Sequence, residues 1–244
     1  MKTEIHSCYI LHSRAYRETS LLLDVFSSQY GRINLVAKGA KGVKGKRLNQ
    51  SILLQPARKL DMSFGMHTDL GTLYSVEDTG VRYQLAGTRM ISCFYINELL
   101  VRTLHRHESH PELFAIYEMS LMQLYKGEDE DRVLRIFEKH LLNSLGYGLI
   151  LDHEVTTGLP VEPGRNYFYQ IDRGPLLHEP DNIRAVKVSG NTLLALEGES
   201  AWNKIIARES KALLRSVLAA HTGDRPLGSR ELYKAYLNNL TSIH

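Results

Sequence analysis

The sequence predicts an α+β fold, in which a small amino-terminal β-barrel precedes a mainly α-helical domain with a small lobe inserted between its helices. Three features indicate this arrangement. Five short β-prone runs occupy about the first 75 residues, apolar residues recur at a spacing of three or four from about Gln84, and a Pro- and Gly-rich stretch interrupts the helices at about residues 150–185. The expected domains are residues 1–80 and 81–244.

The strands of the barrel are predicted from their apolar patterns. Residues 20–26 are almost continuously apolar, as in a strand buried on both faces. In the next run, the apolar Ile33, Leu35 and Ala37 alternate with the polar Arg32, Asn34 and Lys38. The other runs begin near Ile5 and lie within residues 52–64 and 72–76. Five strands in this length fit a five-stranded OB-fold barrel, and the count alone fits an SH3-like barrel as well.

Helices are expected wherever the spacing of three or four persists. The first runs from about Gln84 to a break at His110 and Pro111, and Pro111 suits the first turn of the second helix. Ser189 and Ser229 are predicted N-caps. The later helices are expected at residues 111–125, 132–145, 191–196, 202–221 and 229–240, with one strand of the inserted lobe at 166–171.

Composition excludes several classes of protein. The hydrophobic fraction of 43% is ordinary, and no apolar run approaches the roughly 18–20 residues that span a bilayer. The amino terminus lacks the apolar segment of a signal peptide. Two cysteines, Cys8 and Cys93, cannot form a disulfide framework, and we expect both to be reduced thiols in a cytoplasmic protein.

Charge is distributed unevenly along the chain. The net charge is +3, but residues 1–60 carry 11 Lys and Arg against 3 Asp and Glu. Five cations fall within residues 38–47, together with three glycines and no acid: Lys38, Lys41, Lys44, Lys46 and Arg47. In an extended loop these cations can follow a phosphate backbone, and OB-fold barrels bind single strands through such basic grooves. The alternative is a solvated loop without a ligand.

The expected turn between the first two strands carries a second basic group, Arg14 and Arg17, on either side of Tyr16. Two arginines beside an aromatic ring can bind phosphate and stack on a base. The alternative is an Arg17–Glu18 or Arg14–Asp24 surface ion pair of little energetic weight. Candidate stacking residues are Tyr16, Phe26, Tyr30 and Phe64, although each also suits the core.

No motif indicates catalysis, a metal or a cofactor. His105, His107 and His110 do not have the i, i+4 spacing of a helical zinc site, and a solvated helix end explains them better. The sequence contains no GxSxG, P-loop or GxGxxG motif. We therefore expect a protein that is not an enzyme.

Several stretches, in this order, resemble the RecO family of bacterial DNA repair and recombination mediators. They are RETSLLLDVF (residues 17–26), GRINLVAKGA (31–40), YINELL (95–100), LGYG (145–148) and SREL (229–232). The resemblance covers nearly the whole chain. It implies an amino-terminal OB fold, a helical domain, and a cytoplasmic, nucleoid-associated protein of the RecF pathway that responds to DNA damage.

The resemblance also implies a function and partners. Family members bind single- and double-stranded DNA, anneal complementary strands, work with RecR, and help load RecA onto DNA coated by single-strand-binding protein (SSB). Lys38, Lys41, Lys44, Lys46 and Arg47, with Arg14 and Arg17, would then form the DNA-binding face. Arg132, Arg135 and Lys139 are candidates for contact with the acidic carboxyl-terminal tail of SSB, or they form a solvated helix face.

One feature departs from the family pattern. Many members hold zinc with four cysteines in the inserted lobe, but residues 152–177 contain no cysteine. We expect packing of Tyr167, Phe168 and Tyr169 to hold the lobe instead.

The competing functions are an OB-fold RNA-binding factor, a protein–protein adaptor, and a nuclease, which would need a carboxylate cluster that the sequence does not offer.

Overall fold

The computed structural model describes residues 4–41, 51–66, 68–181, 185–198, 202–223 and 226–241. Within these residues the predicted α+β class is confirmed, because a five-stranded closed barrel is followed by helices and a small three-stranded sheet. The barrel strands are β1 (His6–Tyr16), β2 (Ser20–Ser27), β3 (Gly31–Ala37), β4 (Arg58–Gly65) and β5 (Leu70–Arg82).

The barrel closes in the order β1-β2-β3-β5-β4. β3 and β5 run parallel, whereas the other neighbouring strands are antiparallel. Alternate side chains point inward, and Leu23, Val25, Ile33 and Leu35 are fully buried in the barrel core. This topology is the expected OB-like one.

Two helices pack with the barrel and explain why β2 is apolar on both faces. They are α1 (Thr88–Thr103) and α2 (Pro111–Lys126). Phe26 points away from the barrel core, yet it is fully buried because its ring lies 5.3 Å from Phe114 and 5.8 Å from Tyr117 of α2. Asn97 of α1 donates to the Leu11 carbonyl and accepts from the Tyr117 hydroxyl, which joins both helices to β1.

The last described helix, α6 (Gly228–Thr241), is capped at its amino-terminal end by a side chain of another helix. The Glu98 carboxylate of α1 accepts hydrogen bonds from the Gly228 N–H at 3.0 Å, the Ser229 N–H at 2.9 Å and the Ser229 hydroxyl at 2.7 Å. The prediction that Ser229 is the N-cap is therefore wrong, because its hydroxyl donates to Glu98. These contacts bring the YINELL and SREL stretches together.

The first helix is shorter than predicted. It begins at Thr88 and ends at Thr103, because the following residues pair with the barrel instead of continuing the helix. The His107 N–H donates to the Arg32 carbonyl at 3.0 Å, and Arg32 and Arg106 form an isolated parallel bridge. A loop segment, residues 104–110, is thereby fixed against β3.

The chain divides into two compact units, Met1–Lys126 with Pro226–His244, and Gly127–Arg225. The first contains the barrel, α1, α2 and α6. The second contains the helices α3 (Glu130–Ser144), α4 (Gly190–Glu197) and α5 (Lys204–Thr222) and the strands β6 (Asn166–Gln170), β7 (Gly174–Leu176) and β8 (Ala185–Ser189), with β6 central in the sheet. In sequence, the second unit is an insertion into the first.

Packing in the inserted lobe follows the prediction for its tyrosines. Tyr167 and Tyr169 are buried, whereas Phe168, on the other face of β6, is half-buried. The Tyr167 hydroxyl accepts from the Glu162 N–H at 2.8 Å and the Tyr169 hydroxyl from the Ile150 N–H at 3.1 Å.

The predicted N-cap Ser189 is confirmed, since its hydroxyl accepts from the Thr192 N–H.

None of the helices described here is long and apolar enough to cross a membrane.

Candidate nucleic-acid interface

The two basic segments predicted from sequence meet at one end of the barrel. Lys41 Nζ donates to the Arg17 carbonyl oxygen at 3.0 Å, and the Lys41 N–H donates to the Thr19 carbonyl oxygen at 3.0 Å. Lys38, Lys41 and Arg17 are all exposed. The start of the basic loop is therefore fixed to the β1–β2 turn, so that their cations form one exposed surface.

The β1–β2 turn is shorter than expected. Arg14 and Tyr16 belong to β1 itself, and only residues 17–19 turn the chain. Arg17 has a φ of 53°, and its guanidinium carbon lies 5.3 Å from the centre of the Tyr16 ring. This cation–π geometry leaves Arg17 beside an aromatic face, as the sequence suggested.

Lys44, Lys46 and Arg47 lie outside the described residues, which resume at Ser51. Their assignment to the DNA-binding face stays a prediction.

A cleft of about 440 Å³ lies on the outer face of β1, β2 and β3. Its basic lining residues are His12 and Arg14 of β1, Arg32 of β3, and Arg106 of the segment that follows α1. Asp69, just before β5, also lines it. In OB folds this face and the β1–β2 and β4–β5 loops bind oligonucleotides.

Asp24 organises the floor of the cleft. Its Oδ1 atom accepts from Arg32 Nη2 at 3.0 Å and from Asn34 Nδ2 at 2.7 Å. The predicted alternative, an Arg14–Asp24 ion pair, does not form, because Asp24 is engaged by Arg32 and Asn34 of the neighbouring strand. Arg14 is exposed, and its side chain makes no hydrogen bond or ion pair with the residues that the structure describes.

Arg32 also fixes the segment after α1. Its Nη1 atom donates to the Leu104 carbonyl at 3.3 Å. Gly31 permits this close approach, since its φ is +62° and a Cβ atom there would lie 1.7 Å from the Glu108 carbonyl oxygen. Arg106 consequently borders the cleft, and its exposed guanidinium has no ion pair within the described ranges.

The predicted stacking residues divide into two groups. Phe26 is fully buried and Phe64 is 9% exposed, so both belong to the interior, and stacking by either is excluded. Tyr16 is half-buried and Tyr30 is 38% exposed, with the Tyr30 ring packed edge-on against Phe64. Only Tyr16 and Tyr30 remain candidates among these four.

The candidate contacts for the SSB tail lie on α3 in the second unit. Arg132 is half-buried, and Arg135 is only 4% exposed, with its Nη2 atom 2.7 Å from the Glu138 carboxylate. Lys139 Nζ donates to the carbonyls of Leu196 and Glu197 at the end of α4. Arg135 and Lys139 thus already stabilise the second unit, and a role in peptide binding stays a prediction.

Two polar features of the described residues bear on chemistry. No group of three or more His, Cys, Asp and Glu side chains could hold a metal ion there. Burial raises the pKa of the Cys8 thiol and of the Cys93 thiol to about 12, so neither is a nucleophile at neutral pH.

Sequence reasoning missed Arg32 and Arg106 as cleft residues. Arg32 lies in the GRINLVAKGA stretch, and Asp24 lies in RETSLLLDVF. If the two stretches are taken as adjacent strands, their opposite charges indicate that Arg32 pairs with Asp24. Arg106 has no such signal, because its place at the cleft depends on main-chain pairing with β3, which is distant in sequence.

Comparisons with known proteins match nearly the whole chain to one family. The model described as "Recombination protein O N terminal" matches residues 1–82, and the model described as "Recombination protein O C terminal" matches residues 84–231. Three proteins named DNA repair protein RecO are similar over nearly full length. That of Nitrosococcus oceani is 43% identical, over 95% of this chain and 93% of its own length, and that of Nitrosospira multiformis is 38% identical, over 96% of each. That of Methylococcus capsulatus is 41% identical, over 93% and 91%.

Proposed function

This chain belongs to the RecO family of DNA repair proteins, and on that premise we propose that it is a recombination mediator that binds single- and double-stranded DNA. It anneals complementary strands and helps load recombinase onto SSB-coated single strands. The barrel, residues 1–80, carries the DNA-binding face, and residues 81–244 carry the protein contacts. The protein acts in the bacterial cytoplasm, associated with the nucleoid.

The single observation that carries the proposal is the contact between the basic loop and the β1–β2 turn. Lys41 bonds to the Arg17 carbonyl, and Lys38 lies just before Lys41 in sequence, so that cations from two parts of the chain form one surface. A surface of several cations neutralises adjacent phosphates, and each neutralised phosphate strengthens binding by counterion release.

Annealing follows from this surface without an active site. Two strands bound to one basic surface no longer repel each other strongly, and their effective concentration rises. Base pairing then supplies the free energy of duplex formation. We therefore propose a role that requires neither catalysis nor a cofactor.

The proposed partners beyond DNA are RecR, the carboxyl-terminal tail of SSB and, indirectly, RecA. Arg132, Arg135 and Lys139 are the proposed contacts for the acidic SSB tail. Arg135 and Lys139 also stabilise the second unit, so the test of this contact compares peptide binding and stability in the same variants.

Annealing of two complementary, fluorescently labelled oligonucleotides tests the function, with and without SSB, at two salt concentrations, and without nucleotide or metal. We expect acceleration that weakens with salt and persists on SSB-coated strands. No acceleration in either condition would refute the mediator function. Parallel titrations with DNA and RNA of one sequence test the RNA-binding alternative, which tighter RNA binding would favour.

The basic loop is tested by changing Lys41→Glu, Lys44→Glu and Lys46→Glu together. Three phosphate contacts become repulsive, so we expect DNA affinity to fall by at least about tenfold, with a smaller salt dependence. A matched control changes the exposed residues Lys126, Lys204 and Lys234 to Glu, which gives the same net charge elsewhere on the chain. Equal affinities for both triple variants in a filter-binding titration would show that only net charge matters.

A further inference from the structure

The cleft on the outer face of β1–β3 contains two arginines that form no ion pair with the described residues. Arg32 is matched by Asp24, so these two charges cancel. Arg14 and Arg106 are exposed and make no ion pair within the described part of the chain, and Asp69 at the rim contributes one exposed carboxylate. The remaining lining charge is about one positive, which equals the charge of a single phosphodiester.

The cleft also offers apolar surface. Leu22, Leu70 and Val101 line it together with the arginines, and Leu70 is 37% exposed. A nucleotide unit presents the same combination, an anionic phosphate beside the less polar face of a sugar or base. A volume of about 440 Å³ lies within the range of roughly 300–1,000 Å³ typical of small-ligand sites.

We propose that this cleft binds one phosphodiester unit of single-stranded DNA, held between Arg14 of β1 and Arg106 of the segment after α1. The proposal rests on the proposed DNA-binding function and assigns to it a residue from outside the barrel. Arg106 can serve because the Arg32 side chain and main chain fix its segment to β3, through Leu104 and His107.

The concave shape makes the cleft selective for single strands. A single strand is flexible enough to place one phosphate and its sugar in a cleft. A duplex presents its phosphates on a convex, stiff surface, so its contacts are expected at the exposed basic loop instead. Arg14 and Arg106 therefore contribute to single-strand affinity much more than to duplex affinity.

The test compares the wild-type protein with Arg106→Ala and with the double variant Arg14→Ala/Arg106→Ala. Fluorescence anisotropy measures the affinity for one labelled oligonucleotide, single-stranded and as a duplex, over a range of salt concentrations. We expect Arg106→Ala to weaken single-strand binding severalfold. In the double variant the log–log salt slope falls by about 0.7, the value for one phosphate on a single strand. Duplex affinity changes less than twofold.

Lys234→Ala is the matched control, because it removes an exposed cation of the first unit from α6. It is expected to bind like the wild-type protein. Equal loss of single-strand and duplex affinity in the double variant, or a slope loss of about 1.4 that indicates two separate phosphates, would overturn the proposal. If the wild-type protein binds single strands and the double variant binds them equally well, the cleft proposal is refuted but the proposed function is not. If the wild-type protein binds no DNA, the proposed function itself is refuted.

Folding of the variants is checked by their thermal unfolding midpoints. Both arginine side chains are exposed, and the bridge between Arg32 and Arg106 is a main-chain one, so neither change removes a contact that the structure describes. Arg106→Lys is a second variant that keeps the charge. It is expected to recover most of the single-strand affinity that Arg106→Ala loses, and an affinity as low as that of Arg106→Ala would count against a phosphate contact.

Discussion

Asp24 shows how one side chain sets the geometry of the binding face. One of its oxygens satisfies donors from both Arg32 and Asn34 on the neighbouring strand. Arg32 in turn bonds to Leu104, which fixes the segment that carries Arg106. An acidic residue therefore stabilises a surface proposed to bind an anion, because its own charge is cancelled by the arginine that it orients.

Removal of this carboxylate is expected to destabilise the protein. In Asp24→Ala the half-buried guanidinium of Arg32 and the buried amide of Asn34 lose a shared acceptor. We expect the free energy of unfolding to fall by about 2–3 kcal/mol, since a donor without a partner retains its desolvation cost. Chemical denaturation measures the change.

Asp69→Ala is the control for that measurement. Asp69 is an exposed carboxylate of the same cleft, and its removal is expected to change stability by less than about 0.5 kcal/mol. A similar small loss in Asp24→Ala would mean that solvent satisfies Arg32 and Asn34 equally well.

Local sequence was sufficient for some site residues and not for others. Arg14, Arg17, Lys38 and Lys41 were found because charge and glycine content are visible along a short stretch. Arg106 could not be found in that way, since its position depends on main-chain pairing with β3, far away in sequence. The continuous apolar run of β2 predicts burial on both faces, but it does not identify α2 as the helix that covers Phe26.

At the scale of elements, Glu98 determines where α6 begins. Its carboxylate takes the place of an N-cap side chain by accepting from the Gly228 and Ser229 amides. Burial alone would raise the pKa of Glu98, but these hydrogen bonds, the Ser229 hydroxyl and nearby Arg102 lower it overall. The charged form is thus the one that holds α6 at its first turn.

Glu98→Ala is expected to loosen α6 more than the rest of the first unit. Loss of an N-terminal cap costs about 1–2 kcal/mol, and the favourable charge at the helix dipole is lost with it. Hydrogen exchange should therefore quicken at the α6 amides, while the barrel amides keep their protection. Glu98→Gln keeps the shape without the charge and should give an intermediate effect.

Equal acceleration of exchange in the barrel and in α6 would contradict a local role for Glu98.

Elements were predicted well where apolar spacing alone decides them. The pattern from Pro111 gave α2 within a residue, and the strand run at 166–171 became β6. The end of α1 was placed too late because residues 104–107 pair with β3, an interaction between distant segments that no helical period encodes. The predicted cap Ser229 failed for the same reason, since Glu98 lies on another helix.

At the scale of the whole molecule, buried and half-buried carboxylates recur at turns and helix starts in both units. Glu98 caps α6 in the first unit, and Glu209 accepts from the Ser189 amide and hydroxyl before α4 in the second. Glu154 accepts from the Thr156 and Thr157 amides and the Thr157 hydroxyl in the turn of the inserted lobe. Acid should therefore weaken both units.

Glu154 permits the clearest test of this acid sensitivity. Burial would raise the pKa of its carboxyl, but the hydroxyl and amide of Thr157 and the amide of Thr156 outweigh this and lower it from 4.5 to about 2. Because the folded pKa is below the unfolded value, the stabilisation is complete above about pH 5 and is lost as the pH falls towards 2. Between pH 6 and pH 3 we expect a loss of about 1–2 kcal/mol from this group.

The variant Glu154→Gln should remove this contribution. Trp202, the only tryptophan of the chain, lies in the second unit and reports its urea unfolding by fluorescence. We expect the variant to be less stable than the wild-type protein at pH 6 and to approach it at pH 3, while Glu209 still gives both proteins a residual dependence on pH. Thr157→Val, which removes one donor, should fall between them. Parallel curves for the wild-type protein and Glu154→Gln would mean that this carboxylate gains nothing from its turn, and that the acid sensitivity of the second unit comes from Glu209 or from other groups.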